Sequence, residues 1–228
     1  MRVRMKFSKT GSVKYIGHLD IMRYFQKLMR RSGIPIAYSA GMSPHQIMSF
    51  ALPLGIGDES LGEYADIELT GSVISTEALN MLDAQSVPGI KILSFKMLPD
   101  GALNAMASVE ADDYEIVLQN NRIPDLAAKL SSFMEQEQIL TIKKTKKSER
   151  EIDLKQFVFH YESTDDTILV RLKCGSVDNT KPELFMDTFF AYCGLSCSDS
   201  DLLIRRIDLY TVVNDTFVSL DDIGENIG

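Results

Sequence analysis

The amino-acid sequence predicts an α+β fold of two tandem units, each with the element order βαββαβ. Apolar residues alternate with basic ones at the start of the chain, as in a half-buried strand, and recur at helical spacing from Leu19. The turn Pro99-Asp100-Gly101 ends this run of elements, and a similar order begins again after it. We therefore expect two ferredoxin-like units, residues 1–101 and 102–228, each a mainly antiparallel sheet with helices packed on one face.

In the first unit, Val3, Met5 and Phe7 mark the inward side of a strand, and the following helix ends at Gly33. That helix is expected to bury Leu19, Met22, Phe25 and Met29. The other predicted elements are strands at 34–38, 47–52, 64–70 and 90–98 and a helix at 75–83. The strand at 64–70 alternates cleanly, which predicts Tyr64, Asp66 and Glu68 on its outward side.

In the second unit, the pattern predicts strands at 114–119, 140–145 and 204–213 and a hairpin around Asp165-Asp166. A helix is expected from Pro124 and Asp125 to about residue 138. A second helix follows Thr180-Lys181-Pro182-Glu183, which is typical of a capping box with proline in the first turn.

Composition places the chain among ordinary globular proteins. Its 228 residues are 45% hydrophobic and 25% charged, which excludes disordered, collagenous and disulfide-scaffold classes. No apolar run approaches the roughly 18 residues of a membrane-spanning helix, and the start, MRVRMKFSKTG, lacks an apolar stretch. We expect a cytoplasmic protein with no membrane partner.

Positive charge is concentrated at the start of the chain. The formal net charge is -8, yet residues 1–31 carry +8, which leaves -16 for the remainder. This asymmetry favours a basic surface that faces a polyanion such as RNA. The candidate phosphate contacts are Arg23, Lys27, Arg30, Arg31, Lys143, Lys144, Lys146 and Lys147. For the basic segment 143–150, a solvated loop is the alternative interpretation.

The segment 38–57 is rich in glycine and proline and carries several polar side chains. Such turns present binding groups from a rigid scaffold, although a long hairpin connection would have the same composition. The candidate binding residues of this loop are Tyr38, Ser39, Gly41, Ser43, Pro44, His45 and Ser49.

The sequence assigns no catalytic residue. His18, Asp20 and His45 would form a metal or acid–base cluster only if the fold brought them together, and a capping or surface role is the alternative for His18. Cys193 and Cys197 have a CxxxC spacing, but Ser200 stands where an iron–sulfur site of this type needs its third thiolate. We expect Cys174 in the core and no cofactor or metal.

Several motifs together resemble a known family. They are YIGHLD at 15–20, RRSGIP at 30–35, GMSPH at 41–45, SFALPLG at 49–55, GEY at 62–64, KKTKK at 143–147 and EIDL at 151–154. These segments are similar to the signature of the uncharacterised radical-SAM-linked protein family. Gly17, Gln46 and the short segment 49–52 depart from its pattern, and no catalytic residue is carried over. The resemblance implies an accessory to a cobalamin-binding radical-SAM enzyme that acts on RNA.

Three functions remain open at this point. The leading hypothesis is a non-catalytic protein that binds RNA, or presents a substrate, for a radical-SAM partner. The second is an RNA endonuclease or RNA-modifying enzyme that uses His18 or His45 as general base. The third is a protein-only adaptor whose basic helix docks on an acidic enzyme.

Overall fold

The computed structural model describes residues 1–120, 123–144, 149–175 and 178–228. The fold is mixed α+β with mainly antiparallel strands, and the described residues form five α-helices. The chain divides into two compact units, residues 1–110 with 206–228 and residues 111–205. Relative to the expected division at 101 and 102, the first unit extends further and also includes the end of the chain.

The first unit contains the elements around the predicted loop and the basic helix. They are β1 (Arg2–Lys9), α1 (His18–Ser32), β2 (Met48–Phe50), β3 (Glu59–Glu68), α2 (Ser75–Asp83), β4 (Ile90–Met97) and α3 (Ala105–Ser108). The second unit contains β5 (Ala111–Leu118), α4 (Leu126–Glu135), β6 (Leu140–Lys144), β7 (Glu149–Asp153), β8 (Val158–Ser163), β9 (Thr167–Lys173) and α5 (Pro182–Tyr192). Strand β10 (Leu202–Val213) begins in the second unit, and the first unit ends with β11 (Thr216–Ser219) and β12 (Glu225–Asn226).

Helix α1 forms as the sequence predicts, but one of the residues predicted to be buried is exposed. Gly33 adopts a positive φ of 74° and ends the helix, as expected of a glycine there. Leu19 was expected in the core but is 66% exposed, whereas Ile21 and Phe25 are buried. The reason is geometric, because residues two apart on a helix point in nearly opposite directions, so Leu19 faces away from the stripe that starts at Ile21.

In the first unit, β1 lies between β3 and β4 and pairs with both in antiparallel fashion. Strand β2 pairs with β3, and β10 also pairs with β3. The inward side chains of β1 pack against α1 and α2 to form an apolar core. The predicted strand at 34–38 is wrong: it contributes only the isolated bridges Ile36–Leu69 and Tyr38–Gln46. Pro35 has no N–H for a ladder, and the Ile36 N–H donates to Ile34 O at 2.8 Å within the segment.

The opposite side of this sheet is polar, and much of it is buried. The expectation that Tyr64 and Asp66 of β3 point outward is therefore wrong. Asp66 accepts two hydrogen bonds from the Arg4 guanidinium, at 2.8 and 2.9 Å. The Tyr64 hydroxyl donates to Asp208. The turn at Leu220–Ile223 and helix α3 cover this side, since Arg4 also donates to Leu220 O at 3.3 Å and the Ala105 N–H donates to Asp66 at 2.8 Å. The period-two pattern was right, but the assumption that its polar side meets water was wrong.

In the second unit, β5 lies between β9 and the beginning of β10, and β8 pairs with β9. The predicted hairpin around Asp165-Asp166 is confirmed by β8 and β9. Strands β6 and β7 form a separate two-stranded sheet. The predicted capping box is wrong, because α5 begins one residue later, with Lys181 at its N-cap, and Thr180 is buried before it.

Candidate nucleic-acid interface

The four cations predicted on α1 are all exposed. Arg23, Lys27, Arg30 and Arg31 share one side of the helix, away from its buried stripe. Arg23 pairs with Asp20 at 2.9 Å, with about two-thirds of each side chain exposed, and such a surface pair contributes little stability. Arg31 lies over the Tyr24 ring and donates to Gln85 O at 3.2 Å. This side of the helix therefore offers cations that a phosphate can reach.

The loop at 38–46 is anchored to the same helix by Gln46. The buried Gln46 side-chain amide donates to Gln26 O of α1 at 3.2 Å and to the Tyr38 hydroxyl at 3.3 Å. The loop is closed above this point, where the Ser39 N–H donates to His45 O at 2.8 Å. The structure thus brings the predicted loop and the predicted basic helix together. Gln46 was not among the predicted binding residues, since a single glutamine in a polar loop gives no periodic signal.

The tip of this loop is open to solvent. Tyr38 is 49% exposed, Met42 is fully exposed, and Gly41, Ser43, Pro44 and His45 are exposed as well. Ser39 is partly buried, and its hydroxyl lies 2.8 Å from Nδ1 of His45. An exposed aromatic ring on a loop that is anchored to a basic helix suits single-stranded nucleic acid, because bases can stack on the ring while cations contact the phosphates.

A cleft of about 500 Å³ lies at the base of the loop. His45 and Ser49 line it together with Arg2, Glu68 and Asn104. The Arg2 guanidinium is held by Ala102 O at 2.6 Å. The cleft therefore offers hydrogen-bond donors and acceptors next to the loop tip, which are the groups that read the edge of an unstacked base.

The three residues of the suggested acid–base cluster have different surroundings. Asp20 pairs with Arg23, and His45 bonds to Ser39. The His18 ring instead meets the Phe50 ring edge to face, with centroids 5.7 Å apart.

His18 lines a small cavity of about 20 Å³, together with Lys9 and Glu63. The buried Lys9 ammonium donates to Lys14 O at 3.0 Å, and Glu63 accepts from Arg206 at 2.9 Å. Burial lowers the pKa of Lys9, while the carboxylates of Glu63 and Asp58 act in the opposite direction. This cluster was not predicted, although the sequence contains a signal for it, because Lys9 continues the inward series of Val3, Met5 and Phe7.

The second predicted basic segment is less available than expected. Lys143 is only 12% exposed, pairs with Asp178 at 3.4 Å and lies over the Phe157 ring. Burial alone would raise the pKa of Asp178, but Lys143 and Arg150 outweigh it and hold that pKa below its usual value. Lys144 is exposed and pairs with Glu149 at 3.2 Å. Lys146 and Lys147 lie outside the described residues.

Cys174 is buried, as predicted, and Cys193 and Cys197 are partly exposed. Burial raises the pKa of the Cys193 thiol. Across residues 1–120, 123–144, 149–175 and 178–228, no three His, Cys, Asp or Glu side chains are grouped to hold a metal ion. In the same ranges, no helix has the length and apolar character needed to cross a membrane.

The molecule is therefore an α+β protein with a basic helix and an anchored, exposed loop. Comparison with protein families matches residues 2–182 to the uncharacterized proteins conserved in bacteria (DUF2344). Because this match covers most of the chain, the protein belongs to that family. No curated protein matches the chain.

Proposed function

We propose that the protein is a non-catalytic accessory that binds single-stranded RNA and presents it to a partner enzyme. The observation that carries this proposal is the anchoring of the loop to α1 through Gln46, which places the exposed Tyr38 ring beside the basic helix. The partner we propose is the cobalamin-binding radical-SAM enzyme that the sequence resemblance implies.

Three physical features support RNA over a folded acidic protein. The four cations of α1 are exposed, and the contacts of Arg23 with Asp20 and of Arg31 with Gln85 O lie at the surface, where a phosphate can replace them. An aromatic ring stacks on any base and contributes about 1–3 kcal/mol per base. The cleft lined by His45 and Ser49 provides polar groups for a base that leaves the stack.

The strand orders support the finer interpretation of two ferredoxin-like units. In the first unit the order is β4-β1-β3, with β2 next to β3 and β10 also paired with β3, and in the second the order is β5-β9-β8, with the beginning of β10 next to β5. Four-stranded sheets of this kind are known RNA platforms, although here the aromatic group that we propose for stacking comes from a loop and not from the sheet.

Fluorescence anisotropy with labelled oligouridine, measured over a range of salt concentrations, tests the proposal. For the triple variant Arg23→Ala, Lys27→Ala, Arg30→Ala, we expect the slope of log affinity against log salt to flatten by about 2, at about 0.7 per phosphate contact. Tyr38→Ala should weaken binding at every salt concentration without changing the slope, because stacking releases no counterions. Lys91→Ala, an exposed lysine on β4, is the matched control and should change neither. An unchanged slope in the triple variant would contradict RNA binding at α1.

A second candidate function is enzymatic, and the cavity between Lys9, His18 and Glu63 favours it. A buried lysine with a lowered pKa beside a histidine and a carboxylate can transfer protons. If this site is catalytic, purified protein should cleave or modify RNA, and His18→Ala should abolish that activity with little change in melting temperature. The accessory proposal expects no turnover by the isolated chain, so a robust rate lost in His18→Ala would replace it.

A further inference from the structure

Strand β6 has an unpaired edge. It pairs with β7 on one side, and among the described strands it has no neighbour on the other. The N–H of Leu154 donates to Ile139 O at 2.7 Å, which identifies Ile139 and Leu154 as a hydrogen-bonded pair of this antiparallel ladder. Hydrogen-bonded pairs alternate along an antiparallel ladder, so the N–H and C=O groups of Leu140, Ile142 and Lys144 point away from β7.

This edge borders a groove of the second unit with a volume of about 750 Å³. Its other wall is α5, through Leu184, Thr188 and Ala191. The Thr188 hydroxyl lies 3.0 Å from the Thr141 hydroxyl and connects the two walls. Leu140 and Ile142 are 56% and 45% exposed at its side. Unpaired backbone groups next to an apolar surface are what an extended peptide uses when it adds a strand to a sheet.

The charged residues that line the groove indicate which charge a bound partner would carry. Lys143, Lys144 and Lys181 line it, against the single acid Asp187. Lys143 pairs with Asp178, so the cations that an occupant can reach are Lys181 and Lys144, whose own pair with Glu149 is exposed and therefore weak. A peptide with carboxylates would complement this rim. A second copy of the chain would not, because antiparallel pairing of two β6 strands would place four lysines in one short ladder, and like charges in neighbouring pairs are destabilising. RNA would leave the apolar wall and the backbone edge unused.

We propose that the groove between β6 and α5 binds an extended segment of a partner protein in which apolar and acidic residues alternate. The segment adds a strand to β6, places its apolar side chains against α5 and points its carboxylates at Lys144 and Lys181. This interaction surface lies within the second unit and is independent of the RNA proposal for α1.

The probe is a fluorescein-labelled synthetic peptide of alternating Val and Glu residues, titrated with the full-length chain. We expect saturable binding, and slowed hydrogen exchange at the Ile142 and Lys144 amides measured by NMR. The double variant Lys144→Glu, Lys181→Glu should weaken binding about tenfold or more, because it reverses both exposed rim charges. Lys91→Glu on β4 is the matched control and should bind as the parent does.

Four outcomes would overturn the proposal. They are no binding up to about 1 mM peptide, binding without protection of the Ile142 and Lys144 amides, equal affinity for a peptide of alternating Val and Lys, and protection of the same amides by oligouridine. The amide measurement uses the unmodified chain, so the proposal stays testable even if the double variant folds poorly.

Discussion

The two units of the molecule bury different chemistry. The first unit encloses the cations Arg4, Lys9 and Arg206, of which the two arginines pair with Asp66 and Glu63 on β3. The described core of the second unit is built mainly from aromatic and aliphatic side chains, with Asp112 and Asp201 also buried, and its ion pairs Arg171–Asp113 and Arg205–Glu115 are about one-quarter to one-third exposed. The difference indicates that the first unit depends on complete pairing of charges, whereas the second depends mainly on apolar packing.

A sharp test of this difference is to remove one carboxylate from each unit. Asp66→Ala leaves the Arg4 guanidinium, 2% exposed, without its carboxylate and also removes the acceptor of the Ala105 N–H. An uncompensated buried charge costs about 3–5 kcal/mol. Asp113→Ala in the second unit removes a partly exposed partner of Arg171 and should cost about 1 kcal/mol or less.

The two free energies of unfolding are to be measured in urea by circular dichroism. As a control, Arg4→Met combined with Asp66→Leu should recover much of the loss, because it replaces the pair instead of breaking it. Equal losses in Asp66→Ala and Asp113→Ala would remove the distinction between the units.

The two units should also differ in how strongly they contribute to the loss of stability at alkaline pH. Burial, together with the neighbouring Asp208 carboxylate, raises the pKa of Tyr64 well above its ordinary value of about 10. Above about pH 10, the ordinary tyrosine pKa, the unfolded chain loses the Tyr64 proton while the folded chain keeps it. The free energy of unfolding should therefore fall by up to about 1.4 kcal/mol per pH unit. Tyr64→Phe lacks this loss, and its stability should decline less steeply between pH 10 and 11 (about one unit above the ordinary pKa).

Phe133→Leu, in the second unit, is the control for this experiment, since it removes buried packing but no titrating group. Its stability should follow the slope of the parent chain. A Tyr64→Phe variant with the parent slope would show that Tyr64 does not hold its proton through burial.

A smaller change in stability is expected at acidic pH, where Asp221 is the group concerned. Burial would raise the pKa of Asp221, but hydrogen bonds from Ser94 and Lys96 outweigh it and lower that pKa below its usual value. The stabilisation is therefore present above about pH 4 and is lost as the pH falls further, when the folded chain must also take up the proton. Asp221→Asn should cost about 1 kcal/mol at neutral pH, and this cost should shrink below about pH 4.

The exposed neighbour Asp222 provides the control, because Asp222→Asn changes the same charge without these hydrogen bonds. Urea unfolding at several pH values measures both variants. If the two behaved alike, the contact between Asp221 and Lys96 would contribute nothing.

Local signals in the sequence predicted the positions of many elements. Helix α2 matches its predicted range, and β4 and β10 match theirs to within two residues. The polar side of the first sheet could not be predicted in this way. Asp66 has the same alternating pattern that an exposed residue would have, and it is buried because the turn at Leu220–Ile223 returns to cover Arg4, 216 residues earlier in the chain.

The candidate interface was predicted in parts. The four cations of α1 follow from helical periodicity, and Tyr38 follows from the composition of its loop. Their proximity depends on the hydrogen bonds of Gln46 to Gln26 and Tyr38, which no pattern in the sequence encodes. The buried Lys9 was overlooked because a lysine at a strand end usually reaches solvent.

Ultraviolet cross-linking of bound oligouridine, followed by mass spectrometry of the peptides, tests the central claim most directly, because it locates the RNA on the chain. We expect cross-links at Tyr38 and within the peptide that carries His45, and we expect their loss in the triple variant of Arg23, Lys27 and Arg30. Cross-links confined to residues 111–205, with none in residues 38–46, would contradict the central claim.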